Sequence, residues 1–413
     1  MKKLISIIAA ILIITIAVVT VLNIGDNKSE SQPAAEASVE AAETVTEPAT
    51  VEEPAAAETE TAETAEAVAA GTLDYDALYN AYAPDEVVAK VNGTDITWSE
   101  MYGWVCYYAS SVQSTMDSYA TYYGYEMTWD DAINEEGDTF ASSAIFQSSD
   151  YLKQIYSVID YAKEHGIVVD NMEQKISDAF QEDAVAILGE DASEEALEAY
   201  LEDAHMSRKQ YETILEFNLL YEAIYETNYG KNAELVSDED AVKYLEDNGY
   251  YYANHILFLT SDIANETGLS EEAVKKAYEN AEKIAKELQA IDDKEELVAK
   301  FLELKEEFDE DTGKTSYPNG YVFTDGQMVE SFQNAVAEAK EYEVTDPVES
   351  SYGYHVIIRL PLDPDVVIPN QSKSARQLVA DTAHSEVMNE NYYNTEVEIL
   401  SNLSNFNLKD YFA

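Results

Sequence analysis

The stretch DPVESSYGYHVIIRLP, Asp346–Pro361, places His355 at the start of an apolar run, in a chain with only five histidines. A second stretch, YYANHILFLT at residues 251–260, has the same form, because His255 also opens an apolar run. Short apolar runs of this kind predict buried strands. Side chains alternate between the faces of a strand, so His255 shares a face with Leu257, and His355 shares a face with Ile357. If the two strands are neighbours, the two imidazoles meet on one face of a sheet.

Composition limits the partners of this protein. Its 413 residues include 24 Lys and Arg against 82 Asp and Glu, a formal net charge of −58. This balance argues against nucleic acid, which needs basic side chains to neutralise phosphates. The length allows two or three domains. Cys106 is the only cysteine, so no intramolecular disulfide forms, and we expect a buried small residue there.

The N-terminus predicts export. Residues 1–24 carry Lys2 and Lys3 and then run without a charge from Leu4 to Leu22, a length that approaches the ~30 Å of hydrocarbon in a bilayer. No small-residue cleavage site follows, which favours an uncleaved signal-anchor and leaves a cleaved signal peptide as the alternative. Residues 25–71 consist mostly of Ala, Glu, Thr and Pro and are predicted to form a disordered linker.

The rest of the chain is predicted to form an α+β protein in three pieces. Residues 84–249 read as mainly helical. Residues 250–362 mix strands with helices, including a strand at 321–323 and a helix at 328–339. Residues 370–413 are expected to be a helical segment that packs on the N-terminal piece, because they are too few to fold alone.

Three motifs in order make the middle piece resemble the parvulin-type peptidyl-prolyl isomerases. ANHILF at 253–258 is similar to the family's opening strand with a central histidine. TDGQMVESFQNAV at 324–336 is similar to its Gly-Gln-Met-x-x-x-Phe helix, and residues 341–360 are similar to its ending. VVAKVNGTDITWSEM at 87–101 resembles the start of PrsA/SurA-type exported foldases, in which N- and C-terminal segments form a helical chaperone domain around an inserted parvulin domain.

The resemblance implies a site without cofactor or metal. His255 and His355 would be paired catalytic residues at its floor, with Asp311 near the substrate carbonyl. Histidines as scaffolding and Asp311 as a solvated loop charge stay open as alternatives. A calcium loop starting at Asp309 is rejected, because its twelfth position is Gly320 rather than glutamate. The expected substrate-binding residues are Met328, Phe332, Phe323, Leu257 and Ser350.

The implied function is isomerisation of X-Pro bonds together with chaperone activity on exported proteins. The implied partners are unfolded or partly folded secreted proteins and, through the N-terminal segment, the membrane; a homodimer is left open. The body would be extracytoplasmic, anchored to the cell membrane or secreted. The segment YPNGYVF at 317–323 lacks a leucine that many parvulins carry before the phenylalanine. A non-enzymatic holdase chaperone is therefore one alternative, and a surface-displayed binding or scaffold protein is another.

Tyrosines crowd the N-terminal helical region, among 31 in the whole chain. Tyrosine offers apolar area with a polar tip, which suits loose binding of unfolded chains. Filling of a partly hydrated core is the alternative. The tyrosines concerned are Tyr102, Tyr107, Tyr108, Tyr119, Tyr122, Tyr123 and Tyr125.

Overall fold

The computed structural model describes residues 72–262, 267–368 and 371–413. The predicted signal-anchor at 1–24 and linker at 25–71 lie outside these residues. Within the described ranges, no helix combines the length and the apolar character needed to cross a bilayer. The described chain divides into two compact units. The first holds residues 72–163, 169–219 and 391–413, and the second holds 164–168 and 220–390 with the two short gaps.

Helices and small antiparallel sheets make up both units, in agreement with the predicted α+β class. The helices are α1 Tyr75–Tyr79, α2 Trp98–Tyr123, α3 Ala144–Glu164, α4 Met172–Leu188, α5 Glu194–Asp203, α6 Arg208–Tyr229, α7 Asp238–Asp247, α8 Glu271–Gln289, α9 Lys294–Phe308, α10 Glu330–Glu338 and α11 Ala375–Asn394. The strands are β1 Val87–Val91, β2 Thr94–Thr97, β3 Tyr251–Leu259, β4 Ser261–Asp262, β5 Thr267–Gly268, β6 Tyr321–Phe323, β7 Val348–Glu349, β8 Gly353–Leu360, β9 Val367–Ile368, β10 Lys373–Ser374 and β11 Val397–Ile399.

The first unit packs helices around a three-stranded sheet of order β11-β1-β2. Strands β1 and β2 form a hairpin whose turn residues, Asn92 and Gly93, both have positive φ, as a tight two-residue turn requires. Helix α2 buries Trp98 and Trp104 almost completely, together with Cys106. These residues give the unit its own apolar core.

The C-terminal segment is less helical than its sequence suggested. Helix α11 ends at Asn394, and strand β11 then pairs antiparallel with β1, with Val397 opposite Val91 and Ile399 opposite Ala89. β-branched residues that alternate with glutamates favour a strand over a further helical turn. The predicted helical segment at 370–413 therefore contains one α-helix, which ends at Asn394, followed by a strand.

The second unit contains a four-stranded antiparallel sheet of order β6-β3-β8-β7. Strands β3 and β8 are central neighbours, and their register places His255 opposite Ile357 and Leu257 opposite His355. The two histidines therefore lie diagonally across the strand pair and on the same face. The sequence predicted that the two imidazoles would meet if their strands were neighbours, and the strands are neighbours.

Different helices cover the two faces of this sheet. One face packs against α8 and α9 in a large apolar cluster that includes Ile256, Val356 and Phe301. The other face carries the histidines and packs against α10 through a smaller cluster, which includes Phe332 and Ile357. The smaller cluster leaves room for a site beside α10.

Helix α10 begins at Glu330, two residues after the predicted start at Met328. A turn delays it, because the Thr324 N–H is bonded to Gln327 Oε1 and the Gly326 N–H to Gln333 Oε1. Gly326 has φ +83 there, which fits a turn and not a helix. Met328 therefore precedes the helix that carries Phe332, although their spacing of four residues would place them on one face of a continuous helix.

Candidate active site

The two histidine rings contact each other directly. His255 Nδ1 lies 3.0 Å from His355 Nδ1, and the ring centroids are 5.1 Å apart with an interplanar angle of 21°. Both residues are buried, with relative exposures of 7% and 3%. The His255 backbone N–H is bonded to Asn254 Oδ1, which also accepts from the buried Lys305 Nζ at 2.7 Å. Neighbouring polar groups therefore hold the pair in place.

Asp311 joins the pair from the loop after α9. Its Oδ2 lies 3.0 Å from His255 Nε2 and accepts a 2.6 Å hydrogen bond from Tyr321 Oη. Its Oδ1 accepts from the Gly313 N–H at 2.9 Å. Burial by itself would raise the pKa of the Asp311 carboxyl, but the bonds from His255, Tyr321 and Gly313 outweigh it and hold that pKa below its usual range. Asp311 is thus a bonded carboxylate rather than a freely solvated loop charge.

Ser350 completes the opposite end of the chain of hydrogen bonds. Its Oγ lies 2.7 Å from His355 Nε2 and accepts from the Tyr352 N–H at 3.1 Å. The five side chains Tyr321, Asp311, His255, His355 and Ser350, here called the polar relay, are therefore connected in one line.

One proton arrangement satisfies the polar relay with both rings neutral. The Asp311 carboxylate can only accept, so His255 donates from Nε2 and accepts at Nδ1. His355 must then donate from Nδ1 and accept at Nε2 from the Ser350 hydroxyl. Burial, followed by the field of His255, lowers the pKa of His355 to about 3, which keeps that ring neutral at ordinary pH. In this arrangement the net charge of the relay is the single negative charge of Asp311.

An apolar wall stands beside the relay. The Phe332 ring meets both imidazoles edge to face, with centroid distances of 5.3 Å to His255 and 5.6 Å to His355. Phe323 packs against Phe332 at 5.9 Å. Phe323 and the partly buried Met328 line a cavity of about 250 Å³, together with Tyr317 and Tyr321 among others. Tyr321 is the member of the polar relay that lines this cavity.

Leu257, a predicted substrate-binding residue, contributes to the site through hydrogen bonds of its main chain. Its buried side chain stands opposite His355 in the register. Its N–H is bonded to Asp309 Oδ1 at 2.8 Å, and its carbonyl oxygen accepts from the Glu310 N–H at 3.0 Å. These bonds fasten the loop that presents Asp311.

Two residues of the site were not predicted from the sequence. Tyr321 alternates with Phe323 along β6, so the period of a strand could have assigned its side chain to the same face. Asp309 is 4% exposed and accepts from the Leu257 and Asp311 N–H groups through Oδ1. Within the acidic run DEDTG, no local signal distinguishes this buried carboxyl from its solvated neighbours.

Comparison with known proteins identifies the class of this domain. Residues 255–360 match the Rotamase family model, described as the PPIC-type PPIASE domain. The predicted parvulin-type peptidyl-prolyl isomerase domain is therefore confirmed as a family assignment for this part of the chain.

The relatives it resembles are foldases. The chain is 42% identical over 106 residues to the foldase protein PrsA of Staphylococcus epidermidis, covering 25% of this chain and 30% of that protein. It is 29% identical over 172 residues to PrsA of Geobacillus kaustophilus, covering 38% and 58%. Among solved structures, PrsA from Bacillus subtilis matches with 19% identity and a TM-score of 0.23, covering 75% of this chain and 91% of that one. The chain spans only 30%, 30% and 20% of the length of the first three curated relatives it matches.

Proposed function

We propose that the second unit catalyses cis-trans isomerisation of X-Pro bonds, in a protein that assists the folding of exported chains. The observation that carries the proposal is the polar relay, which holds the half-buried Asp311 carboxylate near the apolar wall of Phe323, Met328 and Phe332. Isomerisation breaks no covalent bond and needs no nucleophile. Its barrier of about 18–20 kcal/mol arises from amide resonance.

The apolar wall would hold the proline ring while the amide rotates. With the ring against Phe323, Met328 and Phe332, the carbonyl before proline would lie near Asp311. A planar amide carries partial negative charge on its oxygen, and a twisted amide carries less. The negative field of Asp311 would therefore disfavour the planar form relative to the twisted one, which lowers the barrier.

The histidines would act by positioning this charge. His255 fixes one carboxylate oxygen through Nε2–H, and His355 fixes the tautomer of His255. Because both rings are neutral in this arrangement, they do not cancel the field of the carboxylate. Ser350 anchors the far end of the relay. In this proposal His255, His355 and Asp311 serve catalysis, and Met328, Phe332, Phe323, Leu257 and Ser350 shape the substrate site.

For the whole chain we propose the organisation expected from the sequence. A signal-anchor at 1–24 and a linker at 25–71 would tether an extracytoplasmic body. A helical chaperone domain at 84–249, completed by residues 370–413, would carry the isomerase domain at 250–362. The similarity to foldase proteins PrsA supports clients among unfolded or partly folded proteins.

Exposed tyrosines support a second, chaperone activity of the first unit. Tyr102, Tyr107 and Tyr108 of α2 are buried, so they belong to the core. Near the end of the same helix, Tyr122 and Tyr123 are 80% and 76% exposed. Clustered exposed aromatic rings suit transient contacts with unfolded segments.

Refolding of a model protein whose slow phase is X-Pro isomerisation tests the isomerase. That phase lasts about 10–100 s without a catalyst. We expect the purified protein at substoichiometric concentration to shorten it and Met328→Ala to lose most of the effect. Acceleration that is equal for both proteins would contradict the proposed pocket.

A further inference from the structure

We propose that His255, Asp309 and Asp311 form a binding site for a transition-metal cation such as Zn²⁺. Each of the three residues offers a donor atom within 4.8 Å of the other two. One imidazole nitrogen and two carboxylate oxygens are ligands that Zn²⁺ accepts in proteins. The sequence showed no such site, because His255 lies on β3, far along the chain from the acidic loop.

An unpaired buried oxygen points to a ligand. Asp309 is 4% exposed; its Oδ1 accepts from two backbone N–H groups, and its Oδ2 has no hydrogen-bond partner among the described residues. The nearby lysines are directed elsewhere: Lys305 Nζ to Asn254 Oδ1 and the Tyr317 carbonyl, and Lys314 Nζ to the Asp309 carbonyl. A buried carboxylate oxygen without a partner is costly, and a bound cation would satisfy it.

The polar relay can release His255 for the metal without moving a ring. To bind a metal ion through Nε2, His255 needs a free lone pair on that nitrogen. Its ring proton must then lie on Nδ1 instead. His355 Nδ1 would then accept that proton's hydrogen bond, and His355 Nε2 would donate to Ser350 Oγ. Every bond between His255 and Ser350 is kept and runs in the reverse direction.

Binding would draw together three donor atoms that now lie within 4.8 Å of one another. Atoms bound to one tetrahedral Zn²⁺ lie about 3.3 Å apart, since Zn–N and Zn–O distances are about 2.0–2.2 Å. His255 Nε2 and Asp311 Oδ2 are already 3.0 Å apart. The fourth position would stay open to water. A cation there would neutralise the Asp311 carboxylate, so on the proposed mechanism Zn²⁺ inhibits isomerisation.

Calorimetric titration of the full chain with Zn²⁺ tests the site, with excess Mg²⁺ present to occupy weak surface carboxylates. We expect one tight site in the wild type and binding at least about tenfold weaker in Asp309→Asn, which keeps the Oδ1 acceptor and removes the free oxygen. Glu341→Gln, which removes an exposed carboxylate outside the cluster, serves as the matched control and should bind normally. Equal affinity of wild type and Asp309→Asn, or no tight site in the wild type, would overturn the proposal.

Nitrogen-15 NMR of the histidine rings gives a readout that is independent of activity. Zn²⁺ should move the His255 proton from Nε2 to Nδ1 and the His355 proton from Nδ1 to Nε2. Unchanged tautomers in the zinc-loaded protein would contradict this coordination. Inhibition by Zn²⁺ rests on the proposed function; a protein that binds Zn²⁺ as described but never isomerises peptides would refute that function and leave the metal site intact.

Discussion

Asp311 is the residue on which the account of catalysis depends most. Its carboxylate is held by His255, Tyr321 and the Gly313 backbone, and in the proposed arrangement with two neutral rings it carries the only net charge of the polar relay. Removing that charge while keeping the shape of the side chain therefore separates an electrostatic role from a structural one.

Asp311→Asn should lower kcat/KM for an X-Pro peptide by about 100-fold, the loss typical of removing one preorganised electrostatic group. Peptide isomerisation kinetics measure the effect, with thermal unfolding as a check that the variant is folded. Glu341→Gln, which removes one negative charge elsewhere in the same unit, should keep the wild-type rate. A folded Asp311→Asn protein with a rate within twofold of wild type would contradict the electrostatic role.

His355 should remain neutral at pH values where histidine is normally charged. Burial and the neighbouring His255 lower its pKa to about 3, against about 6.5 in an unfolded chain. The unfolded state thus binds the extra proton first, so the stability from this group is complete above pH ~6.5 and is lost progressively as the pH falls towards 3. Ring nitrogen-15 shifts followed by NMR titration measure the midpoint directly, and a midpoint near 6.5 would contradict the buried pair.

The histidine pair could be predicted because strand periodicity assigns side chains to faces. The partners that come from loops could not be assigned in this way. Asp311 was suggested by resemblance alone, and Asp309 was indistinguishable from the acidic residues around it. Loop conformation depends on bonds such as the one that the Leu257 N–H donates to Asp309 Oδ1 from a distant strand, which a linear sequence does not display.

At the scale of elements, the central strands agreed with the sequence best. Strand β6 has the predicted bounds 321–323, and β3 and β8 contain the two apolar runs that His255 and His355 open. Helix α10 starts later than predicted because side-chain bonds from Gln327 and Gln333 stabilise a turn. The tail at 397–399 joins a sheet because a strand was available to pair with it, which is a tertiary effect.

Gly320 shows how closely the loop before β6 approaches β3. It has φ +108, and a Cβ there would lie 2.4 Å from the Ala253 carbonyl oxygen. Gly320→Ala should therefore lower the free energy of unfolding by more than about 3 kcal/mol, from backbone strain and overpacking together.

Gly326→Ala is the matched control for that change. Gly326 also has positive φ, at +83, but a Cβ there would meet no atom within 4 Å. Gly326→Ala should therefore lower the free energy of unfolding by the backbone strain alone, about 1–2 kcal/mol. Denaturant unfolding measures both variants, and equal losses would show that the approach to β3 is not tight.

At the scale of the whole molecule, charge repulsion opposes folding. A net charge of −58 creates self-repulsion that salt screens, with a Debye length of about 30 Å at 0.01 M and about 3 Å at 1 M. We expect the Tm to rise by several degrees between 0.01 M and 1 M NaCl in calorimetric scans. A Tm that falls with salt would mean that attractive ion pairs outweigh the repulsion.

Client binding by the exposed tyrosines of the first unit can be tested separately from isomerisation. Replacing both Tyr122 and Tyr123 by serine should weaken suppression of aggregation of an unfolded client and leave peptide isomerisation unchanged. Tyr393→Ser, at another tyrosine that is 64% exposed in the first unit, serves as the control and should bind clients normally. Light scattering of the aggregating client measures the effect. Equal suppression by the wild type, the double variant and Tyr393→Ser would contradict a role of Tyr122 and Tyr123 in client binding.

Exchange NMR of a short Ala-Pro peptide, with catalytic amounts of the purified protein, measures isomerase activity without a client protein. Cis-trans exchange should be faster than in the free peptide and should return close to the uncatalysed rate with Asp311→Asn. Uncatalysed exchange in the presence of folded wild-type protein would contradict the isomerase and leave the holdase chaperone as the better description.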